Sequence, residues 1–203
     1  MNTIIVGNRE VTPSKIICVG RNYKEHIKEL NNEIPENMVV FLKPNSAISQ
    51  ELYSFQKEQI HYEGELCFVY ENGRFSAVGF GLDLTKRELQ NKLKSKGLPW
   101  ERAKAFDGSA VFSKFVEIPS INQNLSIELN IDGKIVQAGN IEQMIYKPND
   151  ILAEIFTFMS LKNGDIVMTG TPKGVGVVNK DSVFIGKVKK NEEVIAIAEW
   201  LAK

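Results

Sequence analysis

Two glutamates, Glu63 and Glu65, are separated by a single glycine within an apolar run, residues 60–70, that otherwise has the pattern of a buried strand. Side chains alternate along a strand, so residues two apart share a face, with Cα atoms roughly 6.5–7 Å apart. That face continues into Cys67 and Val69, which we expect in the core. Two carboxylates at the rim of an apolar face repel each other and lose hydration. The pattern therefore predicts a cation between them, although a solvated edge strand would also carry two such glutamates.

A third carboxylate, Asp83, stands at the end of the next predicted strand, two residues before Thr85, which is predicted to open a helix. A side chain at such a junction projects from a rigid edge into the crevice that the sheet forms. If the two strands are neighbours, Asp83 meets Glu63 and Glu65. An all-oxygen ligand set favours Mg²⁺, Ca²⁺ or Mn²⁺ over zinc or copper. Polarity at a helix start would account for Asp83 taken alone.

His26 and Glu29 lie three residues apart in a helical pattern, so they share a helix face. A neighbouring carboxylate raises the basicity of a histidine and fixes its tautomer, which makes His26 a candidate general base. By default, a single histidine on a helix is an ordinary surface residue. Lys104 lies in a segment flanked by aromatic residues and is a candidate cation for a substrate carboxylate. The run 169–176 is glycine-rich like an anion-binding loop, but it does not match a P-loop.

Length and composition exclude several classes of function. A chain of 203 residues fits one domain, 1–203, with a proper core. Its 25 Lys and Arg residues balance 25 Asp and Glu residues, so nothing indicates a nucleic acid or membrane partner. We expect a cytoplasmic protein, because no signal peptide or apolar run of ~18 residues is visible. Cys18 and Cys67 are expected to be reduced and buried.

The elements that must position these candidates are mainly strands. Strand patterns outnumber helical ones and do not alternate with them regularly, which favours a sheet-dominated α+β fold. The predicted strands cover residues 3–6, 15–19, 38–42, 60–70, 75–84, 129–136, 165–168, 182–185 and 194–200. The first two are expected to pair as a hairpin around 7–8, and Asp132-Gly133 should form the turn of another. Gly64 leaves room for another part of the chain to approach the two glutamates closely.

Three helices are predicted from periodicity and capping residues. Asn22 is expected to cap the first, Thr85 the second, and 149–150 the third. Gly97 should close the second helix. The lysines within 86–96 are interleaved with a glutamate and are predicted to cover a solvated face of that helix. The third helix carries an apolar stripe that indicates core packing and no chemistry.

An ordered series of motifs between residues 16 and 177 resembles the fumarylacetoacetate hydrolase family. The motifs are Gly20-Arg21-Asn22-Tyr23 with His26 and Glu29, Phe41-Leu42-Lys43-Pro44, Tyr62-Glu63-Gly64-Glu65-Leu66, Asp83-Leu84-Thr85-Lys86-Arg87 with Gln90, Lys104-Ala105-Phe106-Asp107, and Gly170-Thr171-Pro172-Lys173-Gly174-Val175-Gly176. The short length resembles the compact members of the family. The segment 97–100 is similar to the acylpyruvase and oxaloacetate decarboxylase branch.

The resemblance implies a fold, a partner and a set of site residues. The fold would be a β-rich roll of mixed sheets of the family's C-terminal-domain type, with a few short helices, and the chain would form a homodimer. A divalent metal, Mg²⁺ with Mn²⁺ or Ca²⁺ as alternatives, would be held by Glu63, Glu65 and Asp83. The catalytic residues would be His26, Glu29 and Lys104. The substrate contacts would be Arg21, Arg87, Gln90 and Thr171.

The resemblance also implies a reaction on a small-molecule 2-oxo acid. We predict hydrolysis of the C–C bond of acylpyruvates such as fumarylpyruvate or acetylpyruvate, decarboxylation of oxaloacetate, or both. His26 would activate water, and a bound cation would stabilise enolate charge as a Lewis acid. Lys104 and Gln90 would hold the developing oxyanion or the substrate carboxylate. The helix that carries His26 would close over the metal, with residues 31–33 as a mobile segment.

Two alternatives to this reaction stay open. The first is another enzyme on the same scaffold, a 2-hydroxyhepta-2,4-diene-1,7-dioate isomerase or an oxaloacetate tautomerase, which moves protons without releasing pyruvate. The second is a non-catalytic module in which the carboxylates hold a structural cation.

Overall fold

The computed structural model describes residues 1–31, 33–121 and 124–203. Asn32, within the segment predicted to be mobile, lies outside the described residues. The described strands are β1 (Ile4–Val6), β2 (Arg9–Val11), β3 (Lys15–Gly20), β4 (Val39–Pro44), β5 (His61–Tyr62), β6 (Gly64–Glu71), β7 (Arg74–Asp83), β8 (Ala110–Phe112), β9 (Val116–Glu117), β10 (Leu125–Ile131), β11 (Lys134–Asn140), β12 (Ile166–Met168), β13 (Gly176–Val177), β14 (Val183–Lys190) and β15 (Glu193–Leu201). The described helices are α1 (Lys24–Glu29), α2 (Arg87–Ser95), α3 (Glu101–Lys104) and α4 (Pro148–Phe158), with 3-10 turns at Asn45–Ala47 and Ile141–Gln143.

Two large sheets dominate the described part of the chain. The larger one has the order β4-β3-β12-β6-β7-β8, with β9 also paired to β7. Strands β3 and β12 run parallel, whereas the other neighbours are antiparallel. The second sheet has the order β11-β10-β14-β15 and is antiparallel throughout. The predicted β-rich α+β fold with mixed sheets and a few short helices is confirmed.

The central strands of the larger sheet are buried on both faces. Leu66 and Phe68 of β6 belong to the main core, which includes side chains of the four-stranded sheet such as Phe184. Cys67 and Val69 alternate with them and belong to a second cluster on the opposite face. A sheet covered on both faces has near-continuous apolar strands, as the run 60–70 does. The face of Glu63 and Glu65 therefore continues into core, as predicted.

The first predicted hairpin is wrong, because β1 pairs with β2 and not with β3. Strand β3 instead lies between β4 and β12. Its four consecutive buried residues, 16–19, are typical of a central strand, which needs neighbours on both sides. The second predicted hairpin is confirmed: Asp132 and Gly133 both have positive φ, 50° and 83°, and connect β10 to β11.

Two predicted helix caps are also wrong. Helix α1 begins after Tyr23, and the Asn22 side chain instead accepts from the Tyr146 N–H at 2.7 Å. Asn22 also donates to the carbonyls of Tyr146 and Thr169, at 2.9 and 2.8 Å. Helix α4 begins with Pro148, so Asp150 lies inside its first turn and accepts from the Lys147 N–H at 3.0 Å. No helix in the described ranges combines the length and apolar character needed to cross a membrane.

Candidate active site

The register of β6 and β7 brings three carboxylates together. Gly64 lies opposite Leu82, and the Asp83 N–H donates to the Glu63 carbonyl at 2.8 Å. Directly opposed residues point to the same side of a sheet, so Asp83 joins Glu63 and Glu65. One ligand oxygen from each of the three buried side chains lies within 4.8 Å of the other two. We predicted that Asp83 meets Glu63 and Glu65 if their two strands are neighbours, and the structure shows both the pairing and the contact.

The strand predicted over 60–70 is interrupted at Glu63. Strand β5 ends at Tyr62 and pairs with β13, whereas β6 begins at Gly64. His61, in β5, exchanges two backbone hydrogen bonds with Thr85, of 2.8 and 3.0 Å. The break places Glu63 just before the start of β6, where it can contact side chains from α2 and α3.

Lys104 neutralises two of the three carboxylates. Its Nζ lies 2.9 Å from Glu63 Oε2 and 2.7 Å from Asp83 Oδ2. It also donates to the Thr85 hydroxyl at 2.6 Å. Burial lowers the pKa of Lys104, but the charges of Asp83 and Glu63 raise it above its ordinary value overall. Lys104 is thus a buried ammonium group, and its predicted contact with substrate stays a prediction.

Thr85 is buried and does not cap α2, which begins at Arg87 after Lys86. Its hydroxyl accepts from Lys104 and donates to the Asp83 carbonyl at 3.4 Å. The capping prediction is wrong because the hydroxyl forms these hydrogen bonds with Lys104 and Asp83 and not with the backbone of α2. Helix α2 does end at Ser95, and Gly97 adopts the positive φ of 62° expected of a residue that closes a helix.

Glu65 is compensated differently from the other two carboxylates. It accepts a hydrogen bond from the Gly170 N–H at 2.7 Å, but among the described residues no cationic side chain lies within 4.0 Å of its carboxylate. Burial and the charges of Asp83 and Glu63 raise its pKa well above the ordinary value. Burial also acts to raise the pKa of Glu63, but the charges of Lys104 and Arg87 hold it well below its usual range.

These three side chains fit a divalent cation. Asp83 Oδ1 is buried and accepts no hydrogen bond from the residues that the structure describes, although Lys43 Nζ lies 2.9 Å away. Together with Glu65, which has no cation beside it among the described residues, this leaves hard oxygen ligand atoms that no protein donor or counter-charge fully satisfies. Mg²⁺ and Mn²⁺ prefer such ligands. The set could therefore hold one of these ions.

His26 and Glu29 form a pair on α1 in which the His26 ring is buried and the Glu29 side chain is 31% exposed. His26 is 6% exposed, and its Nδ1 lies 3.1 Å from Glu29 Oε2. The other oxygen of Glu29 accepts from the Gly174 N–H at 2.9 Å. The pair shares one helix face, as predicted, and Glu29 is anchored to the glycine-rich loop. Such an anchor fixes the ring orientation that acid–base chemistry requires.

The glycine-rich loop, residues 169–176, donates its N–H groups to carboxylates of the protein itself. Gly170 and Gly174 donate to Glu65 and Glu29, and both have positive φ, 95° and 100°. The Thr171 hydroxyl donates to the Gly64 carbonyl at 2.9 Å. The predicted likeness to an anion-binding loop is thus correct in its chemistry, and the loop orients one member of the carboxylate set and the partner of His26.

Helix α2 contributes Arg87 and Gln90. Arg87 pairs with Glu63 through Nη2 and donates to Gln90 Oε1 at 2.9 Å through Nη1. Arg21 has a positive φ of 56°, and its Nη1 reaches the Glu33 carbonyl at 3.5 Å. The two arginines thus come from segments that precede and follow the Glu63–Glu65 segment in the chain, and both line the same cavity.

Nine of the ten predicted site residues line one small cavity of about 30 Å³. They are Arg21, His26, Glu63, Glu65, Asp83, Arg87, Gln90, Lys104 and Thr171. Two more open clefts adjoin it. One, of about 440 Å³, is mainly apolar and shares Phe41 and Trp100 with the cavity. The other, of about 280 Å³, includes Glu29, the tenth residue.

Two buried polar residues of the site were not predicted from the sequence. Lys43 is fully buried; besides Asp83, it contacts the carbonyls of Leu84, Lys104 and Ser109. A lysine at the end of an apolar strand was a usable signal for it. Gln137 lies on β11 among exposed residues, and nothing in its local pattern points to the site.

Gln137 connects the four-stranded sheet to the carboxylate site. Its Oε1 accepts from the Gly64 N–H at 2.8 Å, and its Nε2 donates to Thr171 Oγ1 and the Pro172 carbonyl, both at 2.8 Å. A Cβ on Gly64 would lie 2.9 Å from the Phe80 ring and 3.0 Å from Gln137 Oε1. The close approach predicted at Gly64 is therefore confirmed.

Mixed sheets that position a buried cluster of carboxylates beside a His–Glu pair define the class of this protein. The model of the fumarylacetoacetate (FAA) hydrolase C-terminal family matches residues 15–196, and the chain belongs to this family of enzymes. The predictions of family, fold and enzymatic character are confirmed.

The chain is 39% identical over 181 residues to oxaloacetate tautomerase YcgM of Escherichia coli (strain K12), covering 80% of this chain and 83% of that protein. It is 37% identical over 191 residues to the mitochondrial oxaloacetate decarboxylase of Dictyostelium discoideum, covering 85% and 88%.

Two solved structures extend the comparison. A proposed fumarylacetoacetate isomerase/hydrolase from Oleispira antarctica superposes with a TM-score of 0.94 at 32% identity, over 100% of both chains. Fumarylpyruvate hydrolase from Pseudomonas aeruginosa, in complex with Mn²⁺ and pyruvate, has a TM-score of 0.88 at 26% identity, over 100% of this chain and 96% of that one.

Proposed function

We propose that residues 1–203 form one catalytic domain that interconverts the keto and enol forms of oxaloacetate with a divalent cation, Mg²⁺ or alternatively Mn²⁺. The observation that carries the proposal is that His26, paired with Glu29, lines one cavity together with three buried carboxylates, of which Glu65 has no cation beside it among the described residues. Relatives that act on oxaloacetate, and the Mn²⁺ in the fumarylpyruvate hydrolase structure, support the substrate and the cation.

Glu63, Glu65 and Asp83 would hold the cation. When bound, it would supply Lewis-acid stabilisation of negative charge on the 2-oxo oxygen of the substrate. The cationic side chains around the cavity, Arg21 and Arg87 among them, would orient the anionic substrate. Gln90 and Thr171 would complete the contacts to substrate.

His26 would move the proton. It would take a proton from C3 of oxaloacetate, the C–H electron pair would form the C2–C3 double bond, and the 2-oxo oxygen would be protonated to give the enol. Glu29 would hold Nδ1 of His26, so that the other ring nitrogen exchanges the proton. Lys104 would stabilise charge on the substrate oxygen from its position between Glu63 and Asp83.

The test follows the ultraviolet absorbance of enol-oxaloacetate. Decay should be accelerated by the enzyme with Mg²⁺ and should return to the uncatalysed rate with a chelator. His26→Ala should lower the rate by about 10²–10⁴-fold. Glu25→Ala is the control, because Glu25 lies on the same helix, is exposed and pairs only with Lys28 among the described residues. Unchanged rates in the chelated enzyme or in His26→Ala would contradict the proposal.

Acylpyruvate hydrolysis, together with oxaloacetate decarboxylation, is the second candidate. The apolar cleft beside the cavity favours it, because Phe41, Trp100 and Met159 could surround an acyl group. In that reaction His26 would activate water. Pyruvate release from oxaloacetate, acetylpyruvate and fumarylpyruvate, measured with Mg²⁺ and then with a chelator, distinguishes these reactions from tautomerisation or dienedioate isomerisation, which release none.

We also propose that the chain is a cytoplasmic homodimer. The homodimer is supported by the family resemblance, and the cytoplasmic location by the sequence pattern described above. Sedimentation equilibrium should give about twice the chain mass of 22.8 kDa. A monomer at micromolar concentration would contradict the oligomeric state without affecting the proposed reaction.

A further inference from the structure

The lysines of α2 lie in different environments. Lys92 and Lys96 are exposed, as predicted for a solvated face, but Lys94 is partly buried. Lys94 lines both the small cavity and the 280 Å³ cleft beside it. Residues three and seven apart share a helix face, so Lys94 follows Arg87 and Gln90 along the side of α2 that faces the site. The prediction of a uniformly solvated face is therefore wrong at Lys94.

The Lys94 ammonium group lies beside the Trp100 ring and near three other cationic side chains. Its Nζ lies 4.8 Å from the centroid of the Trp100 ring, the geometry of a cation–π contact. In the ranges that the structure describes, no carboxylate lies within 4.0 Å of it. Burial and the charges of Arg21, Arg87 and Lys104 lower its pKa to about 8. The group is still mainly protonated at neutral pH, so an unpaired positive charge faces the cavity.

We propose that Lys94 determines specificity by binding the distal carboxylate of a dicarboxylic 2-oxo acid. This inference rests on the proposed function, which places the 2-oxo end of the substrate at Glu63, Glu65 and Asp83. Lys94 lines the same cavity as these three carboxylates and also the adjoining cleft, so a substrate that extends towards that cleft would meet its ammonium group. Arg87 is already paired with Glu63, whereas Lys94 has no such partner among the described residues. A second substrate carboxylate would supply the missing negative charge, which a neutral acyl group cannot do.

The size of the effect follows from a hydrogen bond between charged groups in a partly dehydrated site. Loss of such a contact weakens binding by about 10–100-fold. Trp100 keeps the ammonium in place without neutralising it, so an arginine could stack on the same ring and retain part of the interaction.

The experiment compares binding of 2-oxoglutarate and 2-oxopentanoate by calorimetry with Mg²⁺ present at fixed ionic strength. The two probes have the same chain length and differ in the distal carboxylate. We expect the parent protein to prefer 2-oxoglutarate, and Lys94→Met to reduce the ratio of the two affinities by about 10–100-fold. Lys94→Arg should retain part of the parental preference and give a higher ratio than Lys94→Met. Lys92→Met, an exposed lysine of the same helix, is the control and should leave it unchanged.

Each outcome of these measurements either supports or overturns the proposed role of Lys94. A parent protein without preference for the dicarboxylate, or a Lys94→Met variant that keeps the parental ratio, would overturn the proposal. Equal weakening of both probes would assign Lys94 a structural role through Trp100 and would also overturn it. The enol-oxaloacetate assay on the parent protein tests the proposed function independently. The affinity ratio can depend on Lys94 in a protein that does not tautomerise oxaloacetate, and a protein that does tautomerise oxaloacetate can have an affinity ratio that does not depend on Lys94.

Discussion

At the scale of single residues, the buried carboxylates differ in whether their neutralisation leaves a buried cation without its partner. Glu63 contacts both Lys104 and Arg87, so neutralising it leaves buried cations without their partner. Glu65 contacts the Gly170 N–H and no cation among the described residues. Breaking a buried ion pair is strongly destabilising, whereas removing an uncompensated buried charge relieves an unfavourable desolvation.

Two glutamine substitutions should therefore separate stability from metal binding. Without metal, Glu63→Gln should lower the free energy of unfolding by about 3 kcal/mol. Glu65→Gln should change it by less than about 1 kcal/mol, because a glutamine oxygen can still accept from Gly170. Both variants should lose the rise in Tm that Mg²⁺ produces in the parent. Denaturant titrations with and without Mg²⁺ check this, and equal losses in the metal-free proteins would contradict it.

At the scale of elements, the site depends on contacts between strands that are distant in the chain. Gln137 of β11 contacts the start of β6 and the glycine-rich loop at once, so one side chain from the four-stranded sheet fixes the backbone between two of the three carboxylates. Its side chain is buried, so its partners have no access to water when it is removed.

Gln137→Ala should lower the free energy of unfolding by about 2–3 kcal/mol, because the Gly64 N–H and the Pro172 carbonyl lose a buried partner. The affinity for Mg²⁺ should fall as well, since Gly64 connects Glu63 to Glu65. Denaturation and a Mg²⁺ titration measure the two effects. Gln50→Ala is a suitable control, as Gln50 is exposed and makes one long hydrogen bond of 3.5 Å to the Thr3 carbonyl. A loss for Gln137→Ala no larger than for the control would contradict this role.

The start of β12 is held by a buried carboxylate with a pH-dependent contribution. Asp165 accepts from the Ser14 hydroxyl at 2.6 Å, from Lys15 Nζ at 2.6 Å and from the Lys162 N–H at 2.8 Å. Burial acts to raise its pKa, but the hydrogen bonds from Lys15, Lys162 and Ser14 lower it below the ordinary value overall. A group with a depressed folded-state pKa stabilises the fold above its unfolded-state pKa and loses this contribution as the pH falls through the folded-state value.

Asp165→Asn should therefore be less stable than the parent by about 3 kcal/mol at pH 7. The difference should narrow as the pH falls below about 4, where the carboxylate of the unfolded parent becomes protonated. Thermal unfolding of both proteins as a function of pH is the measurement. A constant difference across the acid range would show that Asp165 acts through shape and not through charge.

At the scale of the whole molecule, the two sheets meet where glycines face aromatic rings. A Cβ on Gly186 of β14 would overlap the Phe80 ring of β7, and that ring lies 6.2 Å from the Trp200 ring. The spacing of the sheets therefore depends on the absence of a side chain at position 186. Protein cores resist such overpacking because they are already close-packed.

Gly186→Ala should lower the free energy of unfolding by about 1–3 kcal/mol. Combining it with Phe80→Leu should cost less than the sum of the two single changes, since the smaller side chain vacates the space that the new methyl group needs. A double-mutant cycle from denaturant unfolding tests this. If the two changes in the free energy of unfolding are additive, the methyl group of Gly186→Ala does not act through a clash with Phe80, and the prediction is contradicted.

The sequence by itself determined what depends on local spacing. Period-two alternation placed Glu63 and Glu65 on one strand face, and a separation of three placed His26 and Glu29 on one helix face. The order of the motifs identified the family, and nine of the ten predicted site residues line one cavity. The two shared faces follow from backbone geometry within a few residues, which is the same in any fold that contains the element, whereas the full set of site residues followed from the family resemblance.

Only the tertiary structure decided which distant groups meet. The register of β6 and β7 brings Asp83 to Glu63, and loop closure brings the Gly170 N–H to Glu65, 105 residues away. The local capping rules failed at Asn22 and Thr85 because partners from other elements took their side chains. Such contacts depend on which elements become neighbours and how they pack, which the pattern within a single element does not specify. The two glutamates that stood out in the sequence acquired their third carboxylate in the same way.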